Sequence, residues 1–215
     1  MSDLHGYLIE HDLIPDCDLL ILAGDLCYHH DDYGWYIRDF GRWLEKLSRR
    51  MKIIGVAGNH DFMFQNINEC DPEYVDLVKA LPWTYLQDGG TTFKGWNIYG
   101  TPWQPTFYSW AFNAEEDELA KKWAKIPEET SILVLHGPPF GFGDINPKGE
   151  HVGSRTLEHK IAQLHRHLKL AVFGHIHSGH GTYRHSSGTL LINASLVDEK
   201  YRLVNGPTVV ELSGE

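Results

Sequence analysis

Leu19-Leu20-Ile21-Leu22-Ala23-Gly24-Asp25 is the stretch from which the rest of the chain reads outward. Five apolar residues in a row suit a strand covered on both faces, and the Gly-Asp pair marks its sharp end. The device recurs. Ile53-Ile54-Gly55-Val56-Ala57 runs into Gly58-Asn59, Ile132-Leu133-Val134-Leu135 into His136-Gly137, and Leu170-Ala171-Val172-Phe173 into Gly174-His175. Between the first two runs, Tyr36, Ile37, Phe40, Trp43, Leu44 and Leu47 recur at helical spacing, which predicts an amphipathic helix over 33–50. Further helices are expected over 73–80, 115–125 and 155–168. Thr91-Thr92-Phe93 and Trp96-Asn97-Ile98-Tyr99 flank Lys94-Gly95 as a hairpin, and 189–193 and 208–212 read as strands. Such alternation gives an α/β fold. With no repeat or linker, residues 1–215 read as one domain.

Composition narrows the function. Hydrophobic content of 42% and charged content of 22% are ordinary for a globular protein. No apolar run approaches the ~18 residues a membrane span needs, and no basic region followed by an apolar stretch opens the chain. Cys17, Cys27 and Cys70 lack metal-ligand spacing and read as reduced thiols, so a cytoplasmic location is expected. The formal net charge of -10 argues against long nucleic acid as a partner. A small phosphate compound is less affected, because the local field of its site sets its binding. Of fourteen histidines, His11, His29, His30, His159, His165, His167 and His185 sit among polar neighbours and are expected to be solvated.

The polar fragments carry the chemistry. In open α/β sheets, ligands bind beyond the carboxyl ends of strands. Gly24-Asp25, Gly58-Asn59-His60-Asp61, His136-Gly137 and Gly174-His175-Ile176-His177 fall at such ends, and Asp3-Leu4-His5 opens the chain. Catalytic divalent ions favour imidazole and carboxylate with open positions for water. In extended segments residues two apart share a side, which gives D-x-H and H-x-H their meaning. Asp25, offering two oxygens, suits a bridge between two ions. Asp3, His5 and His177 would hold the first ion, and Asn59, His136 and His175 the second. Four positive charges against two carboxylates leave a centre that attracts phosphate. Two ions ~3.5–4 Å apart can carry a bridging hydroxide, and His60 can protonate a leaving alkoxide. Singly, each fragment also suits a structural role: Asp3 as a helix cap, Asp25 or Asn59-His60 in turns, His175 and His177 as half-buried strand ends. All five in this order favour the metal reading.

At these residues the chain resembles the calcineurin-like metallophosphoesterase superfamily, whose pattern D-x-H, G-D, G-N-H-[D/E], H and G-H-x-H is met over residues 3–177. The resemblance implies two mixed β-sheets packed as a sandwich flanked by helices. It implies the ligand roles given above, His60 as the catalytic histidine beside Asp25, and Asn59, His60 and His175 against the substrate. It also implies two divalent ions, with Mn²⁺ expected and Fe or Zn²⁺ as alternatives. Gly100-Thr101-Pro102-Trp103, Trp110-Ala111-Phe112-Asn113, His136-Gly137-Pro138-Pro139 and Ile192-Asn193-Ala194-Ser195 carry a closer likeness. It is to the metallophosphoesterase-domain proteins, which resemble cyclic-nucleotide phosphodiesterases. Some animal members carry Gly in place of the first His of the last motif; His175 is kept here, which implies an intact second metal.

Two departures matter. The family leads into D-x-H with an apolar strand, whereas only Met1 and Ser2 precede Asp3 here. Either the true start lies upstream, or the sheet lacks most of a strand and Asp3 and His5 are poorly anchored. Second, Ser/Thr protein phosphatases continue after G-D with a second Asp and an Arg. Leu26-Cys27-Tyr28-His29-His30 follows here, which disfavours that substrate class. Small phosphodiesters, cyclic nucleotides first, are the expected substrates. A phosphomonoesterase, a nuclease or a catalytically weak binding protein are the alternatives. Trp103, Phe107, Trp110 and Phe112 offer rings for a nucleobase or simply a core cluster. His151 and Arg155 offer contacts to a phosphate or simply a solvated surface.

Overall fold

Strand alternation sends neighbouring side chains to opposite faces, and in this chain both faces find cover. The computed structural model describes residues 1–28 and 32–213, so the expectations for His29 and His30 lie outside the described residues. A three-stranded, wholly parallel sheet contains β1 (Leu19–Ala23), β2 (Lys52–Val56) and β3 (Thr84–Tyr85), in that order. A six-stranded mixed sheet contains β4 (Gly89–Phe93), β5 (Trp96–Thr101), β8 (Ile132–Leu135), β9 (Leu170–Phe173), β10 (Gly181–Arg184) and β11 (Leu190–Asn193), ordered β10-β11-β9-β8-β5-β4. Two short strands, β6 (Gln104–Pro105) and β7 (Asn113–Ala114), pair with each other.

The sheets share one apolar layer. Ala23, Ile54 and Val56 from the first meet Ile98, Ile132, Val134, Leu170, Val172 and Ile192 from the second. Leu20, Leu22 and Ile53 point the other way, toward Trp43, Leu44 and Leu47 of α2 (Gly41–Leu47). Leu133, Leu135, Ala171 and Phe173 point outward from the second sheet. They meet Leu119 and Trp123 of α5 (Glu116–Trp123), and Leu157 and Ile161 of α6 (Arg155–Gln163). Cover on both faces is why these strands read as unbroken apolar runs. The expected α/β sandwich is therefore present, with the difference that the smaller sheet is all parallel.

Local chemistry sets the helix starts. Asp32 caps α1 (Tyr33–Trp35) by accepting from Trp35 N. Asp71 accepts from Glu73 N ahead of α4 (Pro72–Lys79), with proline in the first turn, and Ser154 accepts from Leu157 N ahead of α6. A four-residue helix, α3 (Phe62–Gln65), follows the second strand-end loop. The helix expected over 33–50 runs through Tyr33–Leu47, widened into a π turn over Tyr36–Phe40 that buries both of those rings. Three further expectations change. The helix from Arg155 ends at Gln163, residues 208–212 form no strand, and β10 was not foreseen. His185 is buried between Glu158 and Ser187. Among the described residues no helix is long and apolar enough to cross a membrane.

The start of the chain corrects the expectation of loose anchoring. The Met1 amine donates to Ile21 O at 2.9 Å, and Ala23 N donates to Met1 O at 2.9 Å. On the other flank Ser2 N donates to Ala194 O at 2.8 Å, and Leu196 N to Ser2 O at 3.0 Å. Asp3 N and His5 N then donate to the carbonyls of Gly24 and Asp25. Asp3 is fully buried and His5 nearly so. Two residues anchor the segment because both flanks hydrogen-bond it. Beside them, along β1, lies a groove of about 530 Å³, whose walls include Leu19, Ile21, Ile132, Leu170 and Ile192.

Candidate metal centre

Every candidate fragment lies where a chain segment leaves a sheet. Asp25 follows β1, Asn59 and His60 follow β2, His136 follows β8, and His175 and His177 follow β9. Asp3, His5, Asp25 and His175 all have positive φ, between 41° and 69°. Asp and His tolerate this left-handed region better than most residues, yet four such positions around one point are uncommon. Close approach is needed too. A Cβ on Gly58 would stand 2.3 Å from Asp25 Oδ1, and one on Gly174 2.0 Å from Asp3 Oδ2. Glycine at both positions admits the carboxylates.

The side chains fall into two groups around Asp25. On one side, His5 Nε2 lies 3.3 Å from His177 Nε2 and 3.6 Å from Asp25 Oδ2, and His177 Nε2 lies 3.4 Å from Asp3 Oδ1. On the other, Asn59 Oδ1 lies 2.9 Å from His136 Nε2 and 2.6 Å from His175 Nδ1, while His136 Nε2 is 3.4 Å from Asp25 Oδ1. His60 sits at the edge with Nε2 4.0 Å from Asp25 Oδ2, and its backbone N donates to Asp25 Oδ1. All eight sequence candidates are brought together. His151 and Arg155 are elsewhere: His151 Nδ1 pairs with the buried Asp144, and Arg155 lies over Phe140.

The donor set fits divalent cations on two observations. His136 Nδ1 is held by Ala23 O at 2.9 Å and His177 Nδ1 by Asp198 O at 3.1 Å. A carbonyl that takes the Nδ1 proton turns Nε2 inward, the orientation expected around metal-bound histidine. In each group that nitrogen faces carboxylate or amide oxygens, so either a proton or a cation must stand between them. Second, the field calls for positive charge. Burial opposes ionisation of Asp3 and Asp25, but His177 on Asp3, and His136 and His60 on Asp25, outweigh it and hold both carboxyls below the usual range. Against the same burial, Asp25 draws His136 up to about 9, and Asp3 draws His177 up to about 9. Burial pushes His5 down to about 4, and burial with the neighbouring His136 charge pushes His175 down to about 3. A cation at the centre would release the protons of His136 and His177 and satisfy the same carboxylates.

Several supporting residues had no role in the sequence reading. Asp61, fully buried, accepts from Gly58 N, Leu26 N, Cys27 N and the Tyr36 hydroxyl. It ties the two loops carrying Asp25 and Asn59 to the π turn. Burial, then the Asp25 charge, raise it to about 6. Its place in Gly58-Asn59-His60-Asp61 was the available signal. Ser195 donates to Asp3 Oδ2 at 2.6 Å, and Asn193 Nδ2 donates to Ile176 O at 2.8 Å, which fixes the His175–His177 loop. The expected aromatic group divides: Phe112 is core, Trp103 lies edge-on to it and donates to Asp88, and Trp110 stacks on His60 at 4.3 Å. Tyr201, on a turn with no sequence signal, packs edge-on against His5 at 4.7 Å.

Comparison with known proteins agrees with this architecture. The calcineurin-like phosphoesterase family model matches residues 1–179. The chain is 36% identical over 219 residues to "Metallophosphoesterase domain-containing protein 1" of Homo sapiens and of Mus musculus, covering 93% of this chain and 66% of theirs. It is 31% identical over 227 residues to a UPF0046 protein of Caenorhabditis elegans, covering 99% of this chain and 79% of that one. A crystal structure sharing 16% identity superimposes with a TM-score of 0.59, covering 91% of this chain and 88% of the other. The chain belongs to the calcineurin-like phosphoesterase family. Its buried Asp and His side chains form groups whose spacing could hold metal ions, and the chain spans 66% of the length of the human and mouse relatives.

Proposed function

We propose that this chain is a single-domain, dinuclear, metal-dependent phosphodiesterase for small substrates, cyclic nucleotides being the leading class. One observation carries the reading: the two oxygens of Asp25 face separate donor groups, Oδ2 toward His5 and Oδ1 toward His136. Asp3, His5, Asp25 and His177 would hold one ion, and Asp25, Asn59, His136 and His175 the other, with Mn²⁺ expected. Such ions lower the pKa of bound water and neutralise charge on a phosphoryl group. His60, mostly buried beneath Trp110 and carrying no carbonyl on Nδ1 among the described residues, is left to move a proton to the departing oxygen. Asn59, His60 and His175 border the space a phosphoryl group would enter. The free cysteines support a reducing, cytoplasmic setting.

Elemental analysis and turnover of matched chromogens test this reading. Two ions per chain are expected, with Mn²⁺-dependent cleavage of a phosphodiester faster than that of a monoester. One ion or fewer under metal-replete conditions overturns the dinuclear reading. Full activity after prolonged chelation overturns the metal mechanism, and preference for the monoester makes this a phosphomonoesterase.

A further inference from the structure

The turn between Val197 and Leu203, which pair as an isolated bridge, is built to present one ring. Tyr201 sits at its tip with φ of 57°, a conformation uncommon for an aromatic residue. Asp198 fixes that tip: its carbonyl accepts from Tyr201 N, and its carboxylate accepts from the backbone of Lys200 and Arg202 and from the Arg202 guanidinium. Tyr7 donates its hydroxyl to Tyr201 O. The Asp198 carbonyl also takes His177 Nδ1, which ties the backbone of the turn to the metal centre. So much fixation holds a ring that is still 36% exposed. Its centroid lies 4.7 Å from His5, 5.4 Å from His177 and 6.0 Å from His60. Trp110 covers a face of the same His60 at 4.3 Å and 27°.

We infer that Tyr201 and Trp110 are the two walls of the substrate cleft and select phosphoesters whose organic group is flat and unsaturated, an aryl or heteroaryl group. The inference rests on the phosphoesterase reading above. The group that departs beside His60 leaves between these rings. The rim around them continues in exposed aromatics, Tyr28 at 6.2 Å from Tyr201 and Phe107 at 6.1 Å from His175. Of the turn's two cations, Lys200 and Arg202, the second is committed to Asp198. The organic part of the ester is recognised by ring contact.

Binding of phenylphosphonate and methylphosphonate to the Mn²⁺-loaded protein, measured by calorimetry, separates this inference from the reading it rests on. The phenyl compound should bind roughly 5-fold tighter or more, the lower end of what one base–aromatic stack supplies. Tyr201→Ala and Trp110→Leu should each bring the ratio toward one while Mn²⁺ content and methylphosphonate affinity hold, and Tyr201→Phe should keep it. Equal affinities in the wild-type protein, a measurement that needs no variant, overturn the aromatic cleft alone. A ratio unchanged in both Tyr201→Ala and Trp110→Leu overturns the assignment of these rings. Failure of both phosphonates to bind overturns the phosphoesterase reading and this inference with it.

Discussion

His60 and Asp25 differ by one contact. Asp25 faces both donor groups, whereas His60 reaches it only at 4.0 Å and leans on Trp110. Asp25→Ala should therefore lose more activity than any other single ligand change, with loss of both ions by elemental analysis. His60→Ala should keep its metal and lose ~10²–10⁴-fold in maximal rate, with smaller losses on substrates having good leaving groups, which need less protonation. Equal losses on good and poor leaving groups would remove the general-acid role. Asp61 acts differently, through the backbone. It is the acceptor for three buried N–H groups and a tyrosine hydroxyl. Leaving several buried donors unpaired costs ~1–3 kcal/mol each. Asp61→Ala should lower the melting temperature by ~6 °C or more, since ~1 kcal/mol is worth ~2–4 °C at this size. Asp61→Asn, which keeps one acceptor oxygen, should lie between. Thermal melts that leave Asp61→Ala within a degree of wild type would show that the loops hold without it.

The strand-end turns are where elements become a site. Gly174 closes β9 with Asp3 Oδ2 and Ser2 Oγ standing where a Cβ would be, at 2.0 and 2.1 Å. Gly174→Ala must push Asp3 away from His177. The expected outcome is a folded protein by circular dichroism whose Mn²⁺ content falls toward one ion per chain. Retention of two tightly held ions would place Asp3 outside the first group. The π turn at Tyr36–Phe40 belongs to the same scale. Helical spacing announced the helix but not the widened turn. The extra residue brings Tyr36 onto Asp61 and buries Phe40 under Trp35 and Trp43.

At the scale of the whole molecule, a groove runs along β1 between the two sheets. The tail lies over it with Val210 and Leu212 packed on the shared layer, but without a ladder. An edge strand with open backbone groups and apolar neighbours gains from an added partner. Fusing five β-branched apolar residues ahead of Met1 should extend the stub already bonded to Ile21 and Ala23. A net gain of ~2 kcal/mol would raise the melting temperature by ~4–8 °C. Metal affinity should stay unchanged, because Asp3 and His5 are already fixed from both flanks. A tighter first ion in the fused protein would show that the stub leaves Asp3 and His5 loose after all.

The chain's order of residues determined the four buried strands, the hairpin, the helix faces and the seven residues that meet around Asp25. It did so because apolar runs covered on both faces, and glycine-marked strand ends, are local signals. Tertiary structure decided what depends on neighbours distant in the chain. The Asp61 hub, Ser195 on Asp3 and Tyr201 over His5 join positions 35, 192 and 196 residues apart, and no spacing in the sequence encodes such contacts. It also decided against a strand at 208–212, a strand-like run that pairs with no sheet edge. Burial of His185 came from Glu158 reaching it across the fold. The short start was the clearest reversal. Two residues looked too few to anchor Asp3, and only the fold supplied carbonyls and amides on both sides to hold them.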